Sequence, residues 1–271
     1  TLLKPDATIA PFHQLCDEAR AYGFASVCVH ASRAALCVDL LTGVATKVCT
    51  VVGFPQGATL PEVKAFEAQQ AIRLGVSEVD MVLNVGRLKE GDYAFVRRDV
   101  AGVADVVHGG GGLLKVIIET ALLDEDEKIA ACILCKEAGA DFVKTSTGFN
   151  GGGATVEDIA LMRRVVGAQL GVKASGGVRT AADALPMIGA GSTTKRCAAH
   201  GATAVTAPFF VLHPRWARRS TIGSAPLPFA GLRPLPGVAR RGARNTGIPA
   251  RSPLPAGGTW RRGSLAVMTT V

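Results

Sequence analysis

Two lysines in apolar surroundings are the residues of this chain best suited to chemistry. Lys144 lies at the end of a strand-like apolar run within residues 142–148, and Lys173 lies in a similar setting within residues 171–177. Small residues and glycine follow each of them. Burial penalises the charged form of an amine, so lysines in such a setting have more of the neutral form. A neutral amine attacks carbonyl carbons, and glycine lets a phosphate approach the backbone. The pattern predicts amine chemistry next to a phosphate-sized hole.

Lys144 is the predicted nucleophile, with Lys173 as its cationic neighbour one strand further on. The unperturbed pKa of a lysine is about 10.4, and both desolvation and a nearby positive charge lower it. A drop of about three units would raise the reactive fraction near neutral pH about a thousandfold. The alternative interpretation is a surface lysine at a strand end that is paired with a carboxylate.

Asp80 is the predicted proton donor and acceptor. Strand alternation over residues 78–84 places Asp80, Val82 and Asn84 on one face. A carboxylate in this apolar run needs a polar partner, and Lys144 or Lys173 could provide it. The alternative is a structural salt bridge inside the sheet.

Other polar residues of the strands are assigned supporting roles. Lys115 and Glu119 are predicted to form an ion pair within the barrel. Asn84, Thr145 and Ser146 are interpreted as orienting groups.

Two glycine-containing turns follow the lysines. Thr147 with Gly148, and Gly176 with Gly177, offer backbone N–H groups near strand ends and before helices. Such groups bind anions, so these four residues are predicted to hold a substrate phosphate. Turn glycines without a ligand are the alternative.

The elements that position these residues alternate between strand and helix. Apolar runs at strand length are separated by helix-like stretches, which predicts parallel βα units with helices outside the sheet. Polar residues at the ends of many strands favour a (β/α)8 TIM-type barrel over an open doubly wound sheet. No G-x-G-x-x-G follows the first strand. The predicted strands are residues 26–30, 47–54, 78–85, 113–119, 142–146 and 172–175, with a stub at 1–3.

The last part of the chain has a different composition. Residues 192–271 contain twelve Lys or Arg, no Asp or Glu, and nine of the fourteen prolines, while the first 191 residues carry 18 basic and 22 acidic side chains. The composition predicts a mildly acidic globular domain at 1–191 and an irregular basic tail at 192–271. Polyanion binding by the tail is an alternative function, although no specific nucleic-acid motif is present.

The cysteines and the hydropathy pattern indicate a cytoplasmic protein. The seven cysteines lack a disulfide framework, and Cys132 and Cys135 lie in a helix-like segment without further metal ligands. Ordinary packing of reduced thiols is therefore expected. No stretch of about 18 apolar residues or charged leader is present, so neither a membrane span nor secretion is expected.

Several ordered segments closely resemble the deoxyribose-phosphate aldolase family, and the resemblance covers about residues 1–191. It implies a (β/α)8 barrel that cleaves 2-deoxyribose 5-phosphate to glyceraldehyde 3-phosphate and acetaldehyde, without metal or cofactor. Homodimers are common in the family. The segments are residues 1–5, 51–55, 78–84, 114–120, 142–149 and 172–180.

The resemblance also implies roles for individual residues. Lys144 corresponds to the Schiff-base lysine, and Lys173 to the lysine that lowers its pKa and transfers protons. Asp80 matches the aspartate that works with the second lysine and water. The substrate phosphate would lie near Gly148, Gly176 and Gly177.

The sequence departs from the family after Gly191. A turn of the Gly-Thr-Ser-Ser type is expected in the last strand, but residues 192–197 read Ser-Thr-Thr-Lys-Arg-Cys. This departure suggests a shifted reading frame and leaves open an inactive barrel with a basic tail. Another class I aldolase or a transaldolase of sugar phosphates is the remaining alternative.

Overall fold

The computed structural model of the chain describes residues 1–193. The predicted basic tail falls almost entirely outside this range, as does the suggested change of reading frame. No helix in the described range is long and apolar enough to cross a membrane.

One all-parallel sheet organises the described residues. Its six strands lie in chain order, so each βα unit adds the next strand beside the last. Their Val, Ile and Leu side chains are buried on both faces of the sheet, as parallel strands require. All six predicted strands are confirmed. The strands are β1 (Ser26–Val29), β2 (Lys47–Val52), β3 (Glu78–Val82), β4 (Leu113–Ile117), β5 (Phe142–Lys144) and β6 (Gly171–Lys173).

Short segments lie along both edges of this sheet. Leu2 forms a parallel bridge to Val29, so the predicted stub at the start of the chain pairs with β1. At the other edge, the Thr193 N–H donates to the Val172 carbonyl at 2.7 Å. The chain therefore returns beside β6 at the position where a further parallel strand would begin.

Within residues 1–193, eight α-helices connect and cover the strands. Threonine caps at Thr155 and Thr180 begin α7 and α8, and a capping box from Asp124 begins α6. The predicted helices between the strands are confirmed, whereas α1 and α4 were not predicted. The helices are α1 (Ala10–Tyr22), α2 (Ala34–Leu40), α3 (Pro61–Arg73), α4 (Val85–Lys89), α5 (Tyr93–Gly109), α6 (Glu125–Glu137), α7 (Val156–Val166) and α8 (Ala181–Gly189).

A fully buried ion pair joins α3 to α5. The Lys64 ammonium lies 2.5 Å from Asp99 Oδ2 and also donates to the Val82 carbonyl of β3 at 3.0 Å. Both side chains are completely buried. Burial lowers the pKa of Lys64 and raises the pKa of Asp99, because it penalises both charges. The pair fixes the carboxyl end of β3, two residues beyond Asp80.

Replacement of Lys64 by methionine is expected to destabilise the fold by about 3–5 kcal/mol, because it leaves the Asp99 carboxylate buried without a cation. The double variant Lys64→Met/Asp99→Leu should recover most of this loss, since no unpaired charge remains. Urea unfolding measures both values. Lys89→Met is the matched control, because the Lys89–Glu127 pair is half-exposed and worth less than about 1 kcal/mol. Equal losses in Lys64→Met and Lys89→Met would contradict this account.

Candidate active site

Three lysines converge on one aspartate within the sheet. Asp80 lies in β3 and is completely buried. Its Oδ1 contacts the Lys115 ammonium of β4 at 2.8 Å, and its Oδ2 contacts Lys144 of β5 at 2.7 Å and Lys173 of β6 at 3.5 Å. Lys115 also contacts Glu78 at 2.7 Å. We call these five residues the lysine cluster.

The strand register explains how the cluster forms. Asp80 and Lys115 are paired residues of β3 and β4, and Lys144 and Lys173 are paired residues of β5 and β6. The last two residues end their strands two positions beyond the level of Asp80, and their side chains reach back to it. The carboxyl ends of the strands form the active face in barrels of this kind.

The charges of the lysine cluster do not balance when every group is ionised. Three ammonium groups face the two carboxylates of Asp80 and Glu78, and an uncompensated buried charge is costly. Burial opposes the ionised form of Asp80, but the three lysines outweigh it and hold its pKa well below the usual range. Burial likewise opposes the charge of Lys115, but Asp80 and Glu78 hold its pKa well above the usual range. Lys115 and Asp80 are therefore both charged in the resting cluster.

Of the three lysines, Lys173 lies farthest from the Asp80 carboxylate. Burial lowers its pKa, and the ammonium groups of Lys144 and Lys115 add to this effect against the attraction of Asp80. Its nitrogen is 3.5 Å from Asp80 Oδ2, compared with 2.7 Å for Lys144. One neutral amine balances the cluster, and a proton can pass between Lys144 and Lys173 through the oxygen that both contact.

The predicted ion pair between Lys115 and Glu119 is wrong. Lys115 contacts Asp80 and Glu78 instead. Residues four apart in a strand are separated by about 13 Å, which is too far for a direct pair. In addition, β4 ends at Ile117, and Glu119 adopts a left-handed backbone conformation with φ 57°.

Glu119 instead anchors the loop that follows β5. Its buried carboxylate accepts hydrogen bonds from the Thr147 N–H at 3.2 Å, the Thr147 hydroxyl at 2.5 Å and Asn150 Nδ2 at 3.0 Å. Each charge-assisted bond of this kind contributes about 1.5–3 kcal/mol. This role of Glu119 was not predicted. A carboxylate just beyond a strand and a polar loop after the next strand were the available signals.

The predicted phosphate-binding residues differ in whether their hydrogen-bond donors already have acceptors. Thr147 gives both its N–H and its hydroxyl to Glu119, so the prediction that these groups bind phosphate does not hold. Gly148, Gly176 and Gly177 all have positive φ, which glycine adopts without strain. Within residues 1–193, their N–H groups have no hydrogen-bond acceptor. These three groups remain open for an anion.

The other predicted orienting residues have separate surroundings. Asn84 accepts a hydrogen bond from the Arg87 N–H and caps α4. The Thr145 hydroxyl donates to the Ser175 carbonyl at 3.0 Å, which ties β5 to β6. The Ser146 hydroxyl is buried and has no partner among the described residues.

An all-parallel βα sheet with a buried lysine cluster at its active face is typical of α/β-barrel aldolases that use a lysine amine. The comparison with protein families makes this more specific. The chain belongs to the DeoC/LacD aldolase family, because the model of that family matches residues 1–209.

Individual relatives agree with this family. A deoxyribose-phosphate aldolase of Halalkalibacterium halodurans is 60% identical over 194 residues, which are 71% of this chain and 86% of that protein. One from a Geobacillus species is 58% identical over 193 residues, with the same shares of both chains. The solved structure of deoxyribose phosphate aldolase from Aeropyrum pernix, described as tetrameric, matches with a TM-score of 0.67 at 33% identity. That match covers 72% of this chain and 82% of the other. The predicted TIM-type α/β fold is thereby confirmed.

Proposed function

We propose that this chain is a deoxyribose-phosphate aldolase, a carbon–carbon lyase that works through a Schiff base on Lys144. The observation that carries the proposal is the lysine cluster, in which three buried amines share the carboxylates of Asp80 and Glu78. A structural salt bridge needs one lysine for each carboxylate. The additional amine is what imine chemistry requires. The curated relatives carry the same activity in their names.

The reaction begins with attack of the Lys144 amine on the C1 aldehyde of open-chain 2-deoxyribose 5-phosphate. The resulting carbinolamine loses water to give the imine. Removal of the C3 hydroxyl proton breaks the C2–C3 bond, so glyceraldehyde 3-phosphate leaves and the electron pair stays in a two-carbon enamine. Protonation of the enamine and hydrolysis release acetaldehyde and restore Lys144. Lys173 and Asp80, which contact one another at 3.5 Å, move the protons.

The glycine turns are proposed to hold the phosphate. Gly176 and Gly177 follow Lys173 by three and four residues. Both have positive φ, and their successive backbone N–H groups can together bind an anion. Gly148 follows Lys144 by four residues, as Gly177 follows Lys173. A Cβ atom at Gly176 would lie 3.1 Å from Gly153 Cα, so a side chain would crowd the opposite turn. A phosphate bound by these groups would lie on the same face of the sheet as both amines.

Product analysis tests the proposed activity. The purified chain is expected to form acetaldehyde and glyceraldehyde 3-phosphate from 2-deoxyribose 5-phosphate, measured with coupled dehydrogenases. Fructose 1,6-bisphosphate, fructose 6-phosphate and ribose 5-phosphate serve as competing substrates. Preferred turnover of one of these would indicate a different sugar-phosphate aldolase or a transaldolase. Turnover of none of the four would indicate an inactive barrel.

Glu119→Gln is expected to raise the KM for 2-deoxyribose 5-phosphate roughly tenfold, with a smaller change in kcat. The amide keeps the shape of the side chain but presents an NH2 group to donors on Thr147 and Asn150, so the loop with Gly148 loses its anchor. Unphosphorylated 2-deoxyribose undergoes the same reaction without phosphate binding. Its turnover should therefore change little in Glu119→Gln. Glu125→Gln, at an exposed position in the first turn of α6, is the control. An equal effect on both sugars would contradict the anchoring role.

We also propose a homodimer in the cytoplasm. The Aeropyrum pernix relative is described as a tetramer, which supports self-association in this family. The six cysteines of the described range are free thiols, as is usual in a reducing compartment. Light scattering of the purified chain measures the mass and distinguishes monomer, dimer and tetramer.

A further inference from the structure

Two cysteines lie beside the lysine cluster and take no part in the proposed aldolase steps. Cys28 of β1 and Cys49 of β2 are paired residues in the parallel register. Both are buried, with 4% and 0% of their surface exposed. The Cys49 thiol donates to Asp80 Oδ1 at 3.2 Å. Both sulfur atoms and a carboxylate oxygen of Asp80 lie within 4.8 Å of one another.

These three donor atoms form a ligand set for a soft divalent cation. Zinc binds sulfur at about 2.3 Å and carboxylate oxygen at about 2.0–2.2 Å, so its tetrahedral ligands are about 3.5–3.8 Å apart. Cys49 Sγ and Asp80 Oδ1 are 3.2 Å apart, and the other two separations are at most 4.8 Å, so side-chain shifts of about 1 Å would complete the set. We propose that Cys28, Cys49 and Asp80 bind a thiophilic divalent cation such as Zn²⁺ or Cd²⁺, and that the bound ion inhibits the enzyme.

The neighbouring lysines do not prevent this binding. Two thiols lose their protons as the metal forms its two sulfur bonds, so one doubly charged ion replaces two protons. The net charge of the lysine cluster with its cysteines is the same before and after. Burial, Cys28 and Asp80 together raise the pKa of the Cys49 thiol well above its usual value, and the positive charge of Lys115, 3.6 Å from Cys49 Sγ, opposes this rise.

Inhibition follows from the shared carboxylate. A metal bound to Asp80 takes an oxygen that now contacts either Lys115 or the pair Lys144 and Lys173. The amines then lose the counter-charge that positions them and the oxygen that connects them. The ion therefore inactivates the enzyme without occupying the phosphate-binding turns.

Cadmium titration of the full chain tests the site independently of enzyme activity. The reduced, chelator-treated protein is titrated with Cd²⁺, and thiolate-to-cadmium charge transfer is followed by ultraviolet absorption. One tight ion per chain is expected, with release of about two protons. Cys28→Ser and Cys49→Ser should each weaken binding by roughly 100-fold or more. Circular dichroism verifies that these isosteric variants are folded.

A second thiol pair in the same chain supplies the matched control. Cys16 and Cys37 are buried and hydrogen-bonded to each other, and no metal-binding set in residues 1–193 includes them. Cys16→Ser/Cys37→Ser is expected to bind Cd²⁺ as the unmodified chain does. Cys197→Ser, outside the described residues, should also leave binding unchanged.

Three results would overturn the proposal: an absorption band that persists in Cys28→Ser/Cys49→Ser, a band lost in Cys16→Ser/Cys37→Ser, or no tight binding at all. Zn²⁺ inhibition, measured against the metal-free rate of each variant, is the second readout. It should follow the Cd²⁺ binding order, with Cys49→Ser resistant. Because cadmium absorption needs no substrate, a chain without aldolase activity would still give a clear answer on the metal site.

Discussion

Lys144→Met is expected to lower the turnover of 2-deoxyribose 5-phosphate by roughly 10⁴-fold or more, because it removes the amine that forms the covalent intermediate. Methionine has a similar length and no charge. Lys115 and Lys173 then face the two carboxylates of Asp80 and Glu78, so the charges of the cluster balance. The variant should therefore stay folded, and the loss should appear in kcat.

The control for this prediction is Lys128→Met. Lys128 pairs with Asp158 on the helical surface, away from the sheet, and its side chain is 19% exposed. Its loss should leave turnover within about twofold of the unmodified chain. More than a tenth of the original activity in Lys144→Met would show that another amine carries the reaction.

Asp80→Asn is expected to lower both stability and turnover. Three buried lysines would then have only Glu78 as counter-charge, and breaking a buried pair of this kind costs about 3–5 kcal/mol. Turnover should fall by about 100-fold or more, because the oxygen that connects Lys144 and Lys173 no longer accepts protons. Urea unfolding and steady-state kinetics measure the two effects.

The stability effect of Asp80 has a defined pH dependence. The folded-state pKa of Asp80 is held well below its unfolded value of about 3.9. Its stabilising contribution is therefore complete above pH 3.9 and is lost as the pH falls through the lower folded value. Asp80→Asn should lack this part of the acid unfolding profile.

A second substitution separates the structural role of Asp80 from its chemical role. In Asp80→Asn/Lys115→Met, the cluster keeps two lysines and the Glu78 carboxylate, so its net charge returns to its original value. Stability should recover in part, while turnover should remain low. Recovery of both would make Asp80 a purely structural counter-ion.

Much of the fold could be predicted from the sequence because the strands are short apolar runs between glycine-rich turns. Lys144 and Lys173 end such runs and are paired in the structure, as the βα alternation implies. Helix α1 was missed although Pro11 and buried residues spaced at three and four positions mark it. Those residues are Phe12, Leu15, Cys16 and Ala19.

Long-range pairs were the least predictable features. Lys64 and Asp99 are 35 residues apart on two helices, and only the packing of α3 against α5 brings them together. The partner of Glu119 was assigned incorrectly because sequence proximity favoured Lys115, whereas the strand geometry places the two side chains too far apart. Lys115 contacts Asp80 because the two residues are paired in the register of β3 and β4. The pattern of a single strand does not predict the register between two strands.

Borohydride trapping tests directly whether Lys144 forms the Schiff base. The chain is incubated with acetaldehyde, reduced with sodium borohydride, digested and mapped by mass spectrometry. We expect an added ethyl group on Lys144, no such mass in Lys144→Met, and persistent modification of Lys144 in Lys173→Met. Modification of Lys173 in place of Lys144, or of neither lysine in a chain that turns over substrate, would contradict this expectation.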